Sequence, residues 1–283
     1  MKKLDRSDFR AVRQILTGDD FAVSEGPDYD ELMTAMVDRD VWFGIQELPD
    51  TVAVATSGQH GPELKLQHGL QGEWIHWIAY DADDNLISDV VREVAFDAET
   101  EWAAATFAAL HGYYRQAIGT LRNALEGCVT AARYQHDPKN PLYEKWLAGQ
   151  VRTNFSDLCE HVARGVANEI NRDLLALGHR TLIDRSKNSD SWLYGLYEEL
   201  CNPAHSRPGF THASYWSGSN GPIYERESFL RFHHLYLEAM TGSWILCKLA
   251  RPSIPIPEPI IAKSKSGDLG REAQVIWDLP HWP

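Results

Sequence analysis

The chain has 283 residues, of which 43% are hydrophobic and ten are tryptophan, and it carries a formal net charge of −13. This composition predicts a folded globular protein, long enough for one large domain or two smaller ones, and excludes a disordered chain. The acidic balance also excludes bulk attraction to nucleic acid or to an anionic membrane, although a local cationic groove or a compact RNA-cleaving site is compatible with it.

The sequence carries no signal for export or membrane insertion. Its start, MKKLDRSDFRAVRQ, is charged and lacks the apolar stretch of a secretory signal. No apolar run approaches the roughly 18 residues that a membrane-spanning helix needs. The cysteines form no CxxC pair and are predicted to be free, small core residues: Cys128, Cys159, Cys201 and Cys247. We therefore predict a cytoplasmic protein that makes no contact with a membrane.

Residues 1–96 are predicted to form a small α+β region. Residues 5–17 and 27–38 have the residue spacing of short amphipathic helices. After residue 40 the chain is rich in β-branched and aromatic residues separated by turn-formers, which predicts three or four strands between residues 41 and 81. Residues 85–95 suit either a further strand or a short helix.

Residues 100–135 are predicted to form one long helix, because they contain no proline and many good helix formers. At 100° per residue, five charged or histidine side chains of this helix fall within an arc of roughly 60°. The arc has apolar residues on one flank and small uncharged residues on the other. We call it the polar seam, and it comprises His111, Arg115, Arg122, Glu126 and Arg133.

The rest of the chain is predicted to be helical up to a proline-rich tail. Further helices are predicted at residues 141–149, 154–177, 189–201 and 225–249. Gly149 and Gly178 end two of them as C-caps, and Asn202-Pro203 ends a third. The predicted fold class is therefore mainly α, with a helical bundle over residues 97–252 and an extended surface tail over residues 253–283.

The polar seam is the first candidate for chemistry. Arg122 and Glu126 are four residues apart, a spacing at which the two side chains can pair on a helix. Stacked basic groups beside a carboxylate and His111 can bind a phosphate group or polarise a bond that is to be cleaved. The alternative is a solvated helix edge with ordinary salt bridges.

The second candidate is residues 205–222, HSRPGFTHASYWSGSNGP, which are predicted to form a long irregular loop. His205 is placed there to act as a general acid–base near neutral pH. Arg207, His212 and Asn220 are the candidate ligand-binding residues of the same loop. A purely structural loop with hydrogen-bonded histidines is the alternative.

No metal or cofactor is predicted. Cys201, His205 and His212 have a spacing that suits zinc, but the sequence fixes no further ligand, and Pro203 interrupts the helix that would align the first two. The chain also lacks the GxxxxGK[ST] phosphate loop, the HExxH zinc motif, the GxSxG nucleophile elbow and a GxGxxG turn after a strand.

An Arg-x(4–6)-His pattern resembles that of the metal-independent ribonucleases of the HEPN class. Composition alone predicts roughly two chance matches. The chain has three: Arg172 to His179, Arg207 to His212, and Arg226 to His233. The last pair opens a predicted helix and is the most suitable placement, although Glu227 stands where that class prefers a neutral or amide residue.

Residues 105–252 resemble a set of helical bacterial proteins without an assigned function. The resemblance is carried by the stretches HGYYRQAIGTLRNALEG, KWLAG, LYGLYEELCNPAHSRPG and SNGPIY. Its matched residues are Tyr114, Arg115, Arg122, Glu126, Trp146, Tyr197, His205, Pro208, Asn220, Gly221 and Pro222. More distantly, LR-x-x-LE followed by Tyr-x-x-Leu-x(4)-His is similar to abortive-infection and HEPN-like helical domains. This resemblance implies a helical bundle, often a homodimer, that either cuts RNA or regulates a partner that does.

Two functions are expected on these grounds. The first is a metal-independent ribonuclease or related phosphodiesterase, a toxin-type effector in stress or phage defence. Its acid–base would be His205 or His233, and its phosphate charge would be stabilised by Arg115, Arg122 or Arg226. The second is a non-catalytic interaction or sensor module that binds a protein partner or a small nucleotide. The ribonuclease requires the polar seam and the loop at residues 205–212 to meet in one cleft.

Overall fold

The computed structural model describes residues 43–80, 90–151, 154–185, 191–204, 223–267 and 269–283. The chain divides into two units between Asp50 and Thr51. Of the first unit, the structure describes a π-helical segment, Phe43–Glu47, and the start of the following helix. The helices predicted at residues 5–17 and 27–38 lie outside the described residues.

The described residues are mainly helical, which confirms the predicted fold class. The α-helices are α1 (Leu48–Gln59), α2 (Gly61–Tyr80), α3 (Val90–Leu110), α4 (Tyr114–Tyr134), α5 (Pro141–Leu147), α6 (Phe155–Arg164), α7 (Asn168–Ala176), α8 (Trp192–Ala204), α9 (Arg226–Ala250), α10 (Glu258–Lys265) and α11 (Arg271–Val275). A 3₁₀ helix, Ile276–Asp278, follows α11. The described residues contain no strand, and their β pairing is limited to one isolated bridge between Thr181 and Ser191. No described helix is both long enough and apolar enough to cross a membrane.

The strands predicted between residues 41 and 81 are wrong for the described part, residues 43–80, which is helical. In α2 the residues buried on the inner face are Gln67, Leu70, Trp74 and Trp77, at steps of three and four residues. That is a helical period, whereas a half-buried strand would bury every second residue. The β propensity of the aromatic residues was outweighed by tertiary packing, because α2 buries its tryptophans against α3 and α9.

The single helix predicted over residues 100–135 is two helices, α3 and α4, joined by a tight turn. Gly112 has φ of +81°, in the left-handed region that favours glycine. Gly112 N–H donates to the Ala109 carbonyl (3.1 Å) and Tyr113 N–H to the Ala108 carbonyl (2.8 Å), the bond pattern of a Schellman helix end. The prediction failed because it weighed the absence of proline and overlooked this glycine.

Helices α3 and α4 lie antiparallel, and their contacts fix the register. Near one end, Val91 N–H donates to the Gln135 side-chain oxygen at 3.0 Å. Nearer the turn, Asn123 Nδ2 donates to Glu101 Oε2 at 3.4 Å. Each pair of facing residues is roughly symmetric about Gly112, as expected for a helical hairpin that folds back at that residue.

Helix α4 is central to the fold, since α3, α6, α8 and α9 all contact it. Three tryptophans pack against one another in the core: Trp74 lies 4.9 Å from Trp244 and 6.1 Å from Trp102, centroid to centroid. All three indoles are fully buried, and Trp74 Nε1 donates to the Ala95 carbonyl at 2.9 Å. Edge-on contacts of this kind stabilise aromatic pairs beyond the area that they bury.

Most of the remaining helices match the predictions. Helices α5 and α9 lie where expected, and the positive φ of Gly149 and Gly178 confirms both as helix-ending glycines. The helix predicted over residues 154–177 is interrupted at Gly165, whose backbone leaves the helical region, so that α6 and α7 are separate. Helix α8 runs to Ala204, past the end predicted at Asn202-Pro203.

The extended tail predicted for residues 253–283 is also wrong, because that segment contains α10, α11 and the 3₁₀ helix. Pro257 lies at the N-cap of α10 and Pro259 in its first turn, where proline is compatible with a helix. Six apolar residues of this segment are buried in the core: Ile254, Ile260, Leu269, Ala273, Ile276 and Leu279. The Pro-rich composition therefore marks helix starts rather than an extended chain.

The domain boundaries predicted after residues 96 and 252 remain a prediction. The buried cluster of hydrophobic side chains takes members from all three predicted parts, among them Trp74, Trp102 and Ile276.

Candidate functional site

A cavity of about 320 Å³ lies where α3, α4 and α5 meet. Asp97 and Asn123 are exposed, so the cavity opens to solvent. We call it the α3–α4 cavity. It is lined by Val94, Asp97, Ala98 and Glu101 of α3, by Arg122, Asn123, Ala124, Glu126 and Gly127 of α4, and by Trp146 of α5.

The turn at Gly112 and the contact at Gly127 build this cavity. The turn folds α3 back on α4, so that the acidic residues of one helix face the polar seam of the other. A Cβ atom at Gly127 would lie 3.1 Å from Val94 Cγ1, closer than nearly all such contacts, so glycine allows the two helices to approach closely here.

The charges that face the cavity are unbalanced. Asp97, Glu101 and Glu126 line it together with one cation, Arg122. Among the described residues, no basic side chain lies within ion-pairing distance of any of the three carboxylates. In particular, the predicted pairing of Arg122 with Glu126 does not occur, even though the two residues are four apart on α4.

Glu101 shows the effect of this imbalance. Its carboxylate is half-buried and accepts one hydrogen bond, from Asn123 Nδ2 at 3.4 Å. Burial raises the pKa of Glu101, the bond from Asn123 opposes the shift, and the nearby charge of Asp97 adds to it. Among the described residues, no cation pairs with this carboxylate to stabilise its charge.

Helix α8 packs against the polar seam of α4. Tyr197 OH donates to Glu126 Oε2 at 3.4 Å, and the Tyr197 ring stacks on Phe155 with centroids 3.5 Å apart. The Cys201 thiol interacts with both Tyr197 and Arg122, but burial outweighs them and raises its pKa. A thiol with a raised pKa is a poor nucleophile, so Cys201 is packed here as a neutral group.

The other members of the polar seam do not line the cavity. Arg115 is half-buried in the first turn of α4, two turns before Arg122. His111 lies in the turn between α3 and α4, where its ring is 4.1 Å from that of Phe107 and its Nδ1 is 2.8 Å from the Phe107 carbonyl oxygen. The guanidinium of Arg133 lies over the Tyr134 ring at 5.0 Å.

His233, a predicted acid–base, lies in a separate buried cluster between α2 and α9. Its Nδ1 is 3.0 Å from Gln67 Nε2, and Gln67 is fully buried. Burial lowers the pKa of His233 to about 4, Glu63 opposes the shift, and Lys263, His234 and His60 add to it. His233 is therefore neutral at pH 7 and a weak base.

Arg226 does not converge on His233. The two residues are seven apart on α9, about 10.5 Å along the helix axis at 1.5 Å per residue. Arg226 is exposed and its Nη1 pairs with Glu227 Oε1 at 3.2 Å. The Arg-x(4–6)-His pattern at this position thus gives two side chains that face different surroundings.

The loop residues predicted to act with the seam lie outside the described residues: His205, Arg207, His212 and Asn220. The meeting of the loop with the polar seam therefore remains a prediction. Among the residues that are described, no group of three histidine, cysteine, aspartate or glutamate side chains is placed to hold a metal ion.

The sequence analysis missed Asp97, Glu101 and Asn123 as site residues. The signal that would have found them is the glycine at position 112. Once a hairpin is recognised there, residues at equal distances on either side of it face each other, which pairs Glu101 with Asn123.

No family model, no curated protein and no solved structure matches this chain. The resemblances to helical bacterial proteins and to HEPN-like domains are therefore still predictions.

Proposed function

We propose that this protein is a non-catalytic sensor or binding module whose ligand occupies the α3–α4 cavity. The observation that carries the proposal is the set of charges around that cavity: within the described part of the chain, its three carboxylates and Arg122 form no ion pair within 4.0 Å. A folded protein leaves half-buried charges without counter-charges at a cost in stability, and such sites are enriched in functional regions.

The size of the cavity supports a small ligand. Ligand sites in proteins have volumes of roughly 300–1,000 Å³, and this cavity of about 320 Å³ is at the small end of that range. Trp146 adds an aromatic wall to the charged lining, the combination of one apolar surface and a few polar groups that is typical of small-molecule sites.

A thermal-shift screen tests the proposal. Purified protein is heated with amines, nucleotides and small anions, and the same screen is run on a variant with Arg122→Gln and Glu126→Gln together. We expect at least one compound to raise the Tm of the wild-type protein and to lose that effect in the variant. If no compound raises the Tm, or if every compound acts equally on both proteins, the proposal fails.

The ribonuclease is the second candidate, and one observation favours it. Cys201 lies in the last turn of α8 and interacts with Arg122, so the chain leaves α8 close to the polar seam, and His205 directly follows the last residue of that helix. Against it, His233 is a weak base and Arg226 pairs with Glu227 instead of approaching His233.

Expression in a bacterial host, with growth and total RNA as readouts, distinguishes the two candidates. A ribonuclease would slow growth and degrade RNA, and a variant with His205→Ala and His233→Ala would restore both. The binding module that we propose leaves growth and RNA unchanged in the wild-type protein and in the variant.

A further inference from the structure

We propose that the α3–α4 cavity binds an aliphatic diamine, an organic dication whose ammonium groups are neutralised by the carboxylates of the cavity. This inference rests on the proposed binding function and names the class of its ligand.

The net charge of the side chains that line the cavity specifies the sign of the charge on the ligand. Three carboxylates and one guanidinium leave an excess of two formal negative charges. A dication balances that excess, whereas the phosphate of a nucleotide would meet one arginine among three repelling carboxylates. The small nucleotide expected from the sequence is thus disfavoured by the electrostatics of the cavity.

The arrangement of these three carboxylates does not suit a metal ion. Asp97 and Glu101 lie on α3 and Glu126 lies on α4, and they do not form a group that could hold one ion. A metal ion needs several ligand oxygens within about 2.6 Å of a single point. A diamine carries its two charges at the ends of a carbon chain and can pair with carboxylates on two different helices.

Trp146 provides the surface for the carbon chain and for a cation–π contact, since tryptophan is the best aromatic partner for an ammonium group. The indole is held in place by its neighbours. It stacks on the Tyr143 ring at 5.8 Å, and Tyr143 OH donates to Glu93 Oε2 on α3 at 2.8 Å. This aromatic wall is therefore ordered before a ligand arrives, which lowers the entropy that binding costs.

Isothermal titration calorimetry tests the ligand class on the full chain at low ionic strength. The probes are 1,4-diaminobutane and 1,5-diaminopentane, with n-butylamine as the monocation and AMP as the nucleotide. We expect a diamine to bind at least about tenfold more tightly than n-butylamine, because the monocation neutralises one carboxylate only.

Three variants locate the site. Glu101→Gln should weaken diamine binding about tenfold or more, and Trp146→Ala should weaken it by roughly 3- to 30-fold, with Trp146→Phe in between. The control is Glu169→Gln, which removes an exposed carboxylate of α7 that does not line the cavity and should leave the affinity unchanged. Trp146→Phe also keeps the test valid if the alanine variant does not fold.

Each outcome has a distinct meaning. If AMP binds, loses affinity in Arg122→Gln and no diamine binds, the diamine inference is overturned and the binding function survives. If a diamine binds but neither Glu101→Gln nor the Trp146 variants weaken it, the assignment to this cavity is overturned. If no compound of the wider thermal-shift screen binds either, both the inference and the proposed function fail.

Discussion

Two carboxylates, half-buried Glu101 in the α3–α4 cavity and buried Glu272 on α11, have opposite surroundings. Glu272 accepts two bonds from the Arg180 guanidinium, at 3.0 and 2.8 Å. Burial would raise the pKa of Glu272, but the bonds and charge of Arg180 outweigh it and hold the pKa below its usual value. Glu101 has one amide donor and a raised pKa. The fold therefore neutralises the charge of Glu272 itself and leaves the charge of Glu101 for another group to neutralise.

This difference separates a structural carboxylate from a candidate binding carboxylate. Glu272 joins α11 to the segment that follows α7, and its side chain is 3% exposed against 36% for that of Arg180. Its contacts explain its charge completely. Around the α3–α4 cavity, by contrast, the contacts within the described chain do not account for the charge of Glu101, and that deficit is the reason to expect a ligand.

The largest expected effect is a difference in the free energy of unfolding between two matched substitutions. Glu272→Gln should lower the free energy of unfolding by about 2 kcal/mol at pH 7, because it leaves the Arg180 guanidinium without its counter-charge. Glu101→Gln should leave that free energy unchanged within about 0.5 kcal/mol or raise it, because it removes a charge whose burial is not compensated. Urea denaturation of both variants measures the difference.

Glu169→Gln serves again as the control, since Glu169 lies in an exposed pair with Arg172 at 3.9 Å, and such a pair should contribute little. Equal losses in Glu272→Gln and Glu101→Gln would show that Glu101 does have a counter-charge within the protein. The contrast between the two regions would then be wrong.

A second prediction extends the comparison of buried charges to a histidine, His233. Burial lowers the pKa of His233 to about 4, so that between pH 6.5 and 4 the unfolded chain binds a proton that the folded chain does not. Stability is therefore retained above pH 6.5 and lost as the pH falls towards 4, by about 2 kcal/mol for this residue. Denaturation of the wild-type protein and of His233→Gln at several pH values measures the loss.

Over the same pH range, the His233→Gln variant should lose less stability than the wild-type protein, by the amount that His233 contributes. The contribution of Glu272 to stability also falls as the pH falls, but at lower pH. Its lowered pKa means that Glu272 stabilises the fold above its unfolded pKa and ceases to do so as the pH falls through the folded one. Glu101 has the opposite sign, since protonation relieves its burial. Parallel pH profiles for the wild-type protein and His233→Gln would contradict the assignment to His233.

The sequence predicted helices well where local signals and packing agree. The helix predicted at residues 225–249 is α9, along which Phe229, Phe232 and Tyr236 recur at steps of three and four residues and are all buried. The same reasoning failed for α2, because aromatic and β-branched residues suit both a strand and a buried helix, and the choice between them is made by the partners α3 and α9.

Only part of the site was predicted, and the reason is similar. Arg122 and Glu126 share one helix face, so periodicity found them. Asp97, Glu101 and Trp146 come from other elements, and their position depends on how the chain folds back at Gly112. Helix periodicity carries no information about such a contact unless the turn is recognised first. Gly112 is thus the residue on which both the hairpin and the cavity depend.

The smallest expected effect comes from that turn, and it tests whether the cavity and the Glu272 pair are independent. Gly112→Ala places a side chain at φ of +81° and should lower the free energy of unfolding by about 1 kcal/mol. Gly72→Ala is the matched control, because Gly72 is exposed in the middle of α2 with no atom near its missing Cβ, and it should stabilise the helix by about 0.5–1 kcal/mol. Urea denaturation of both variants measures these changes. If the hairpin shapes the cavity, Gly112→Ala also weakens ligand binding in the cavity and leaves the effect of Glu272→Gln on stability unchanged. Equal effects of the two glycine substitutions on the free energy of unfolding would contradict the assigned turn.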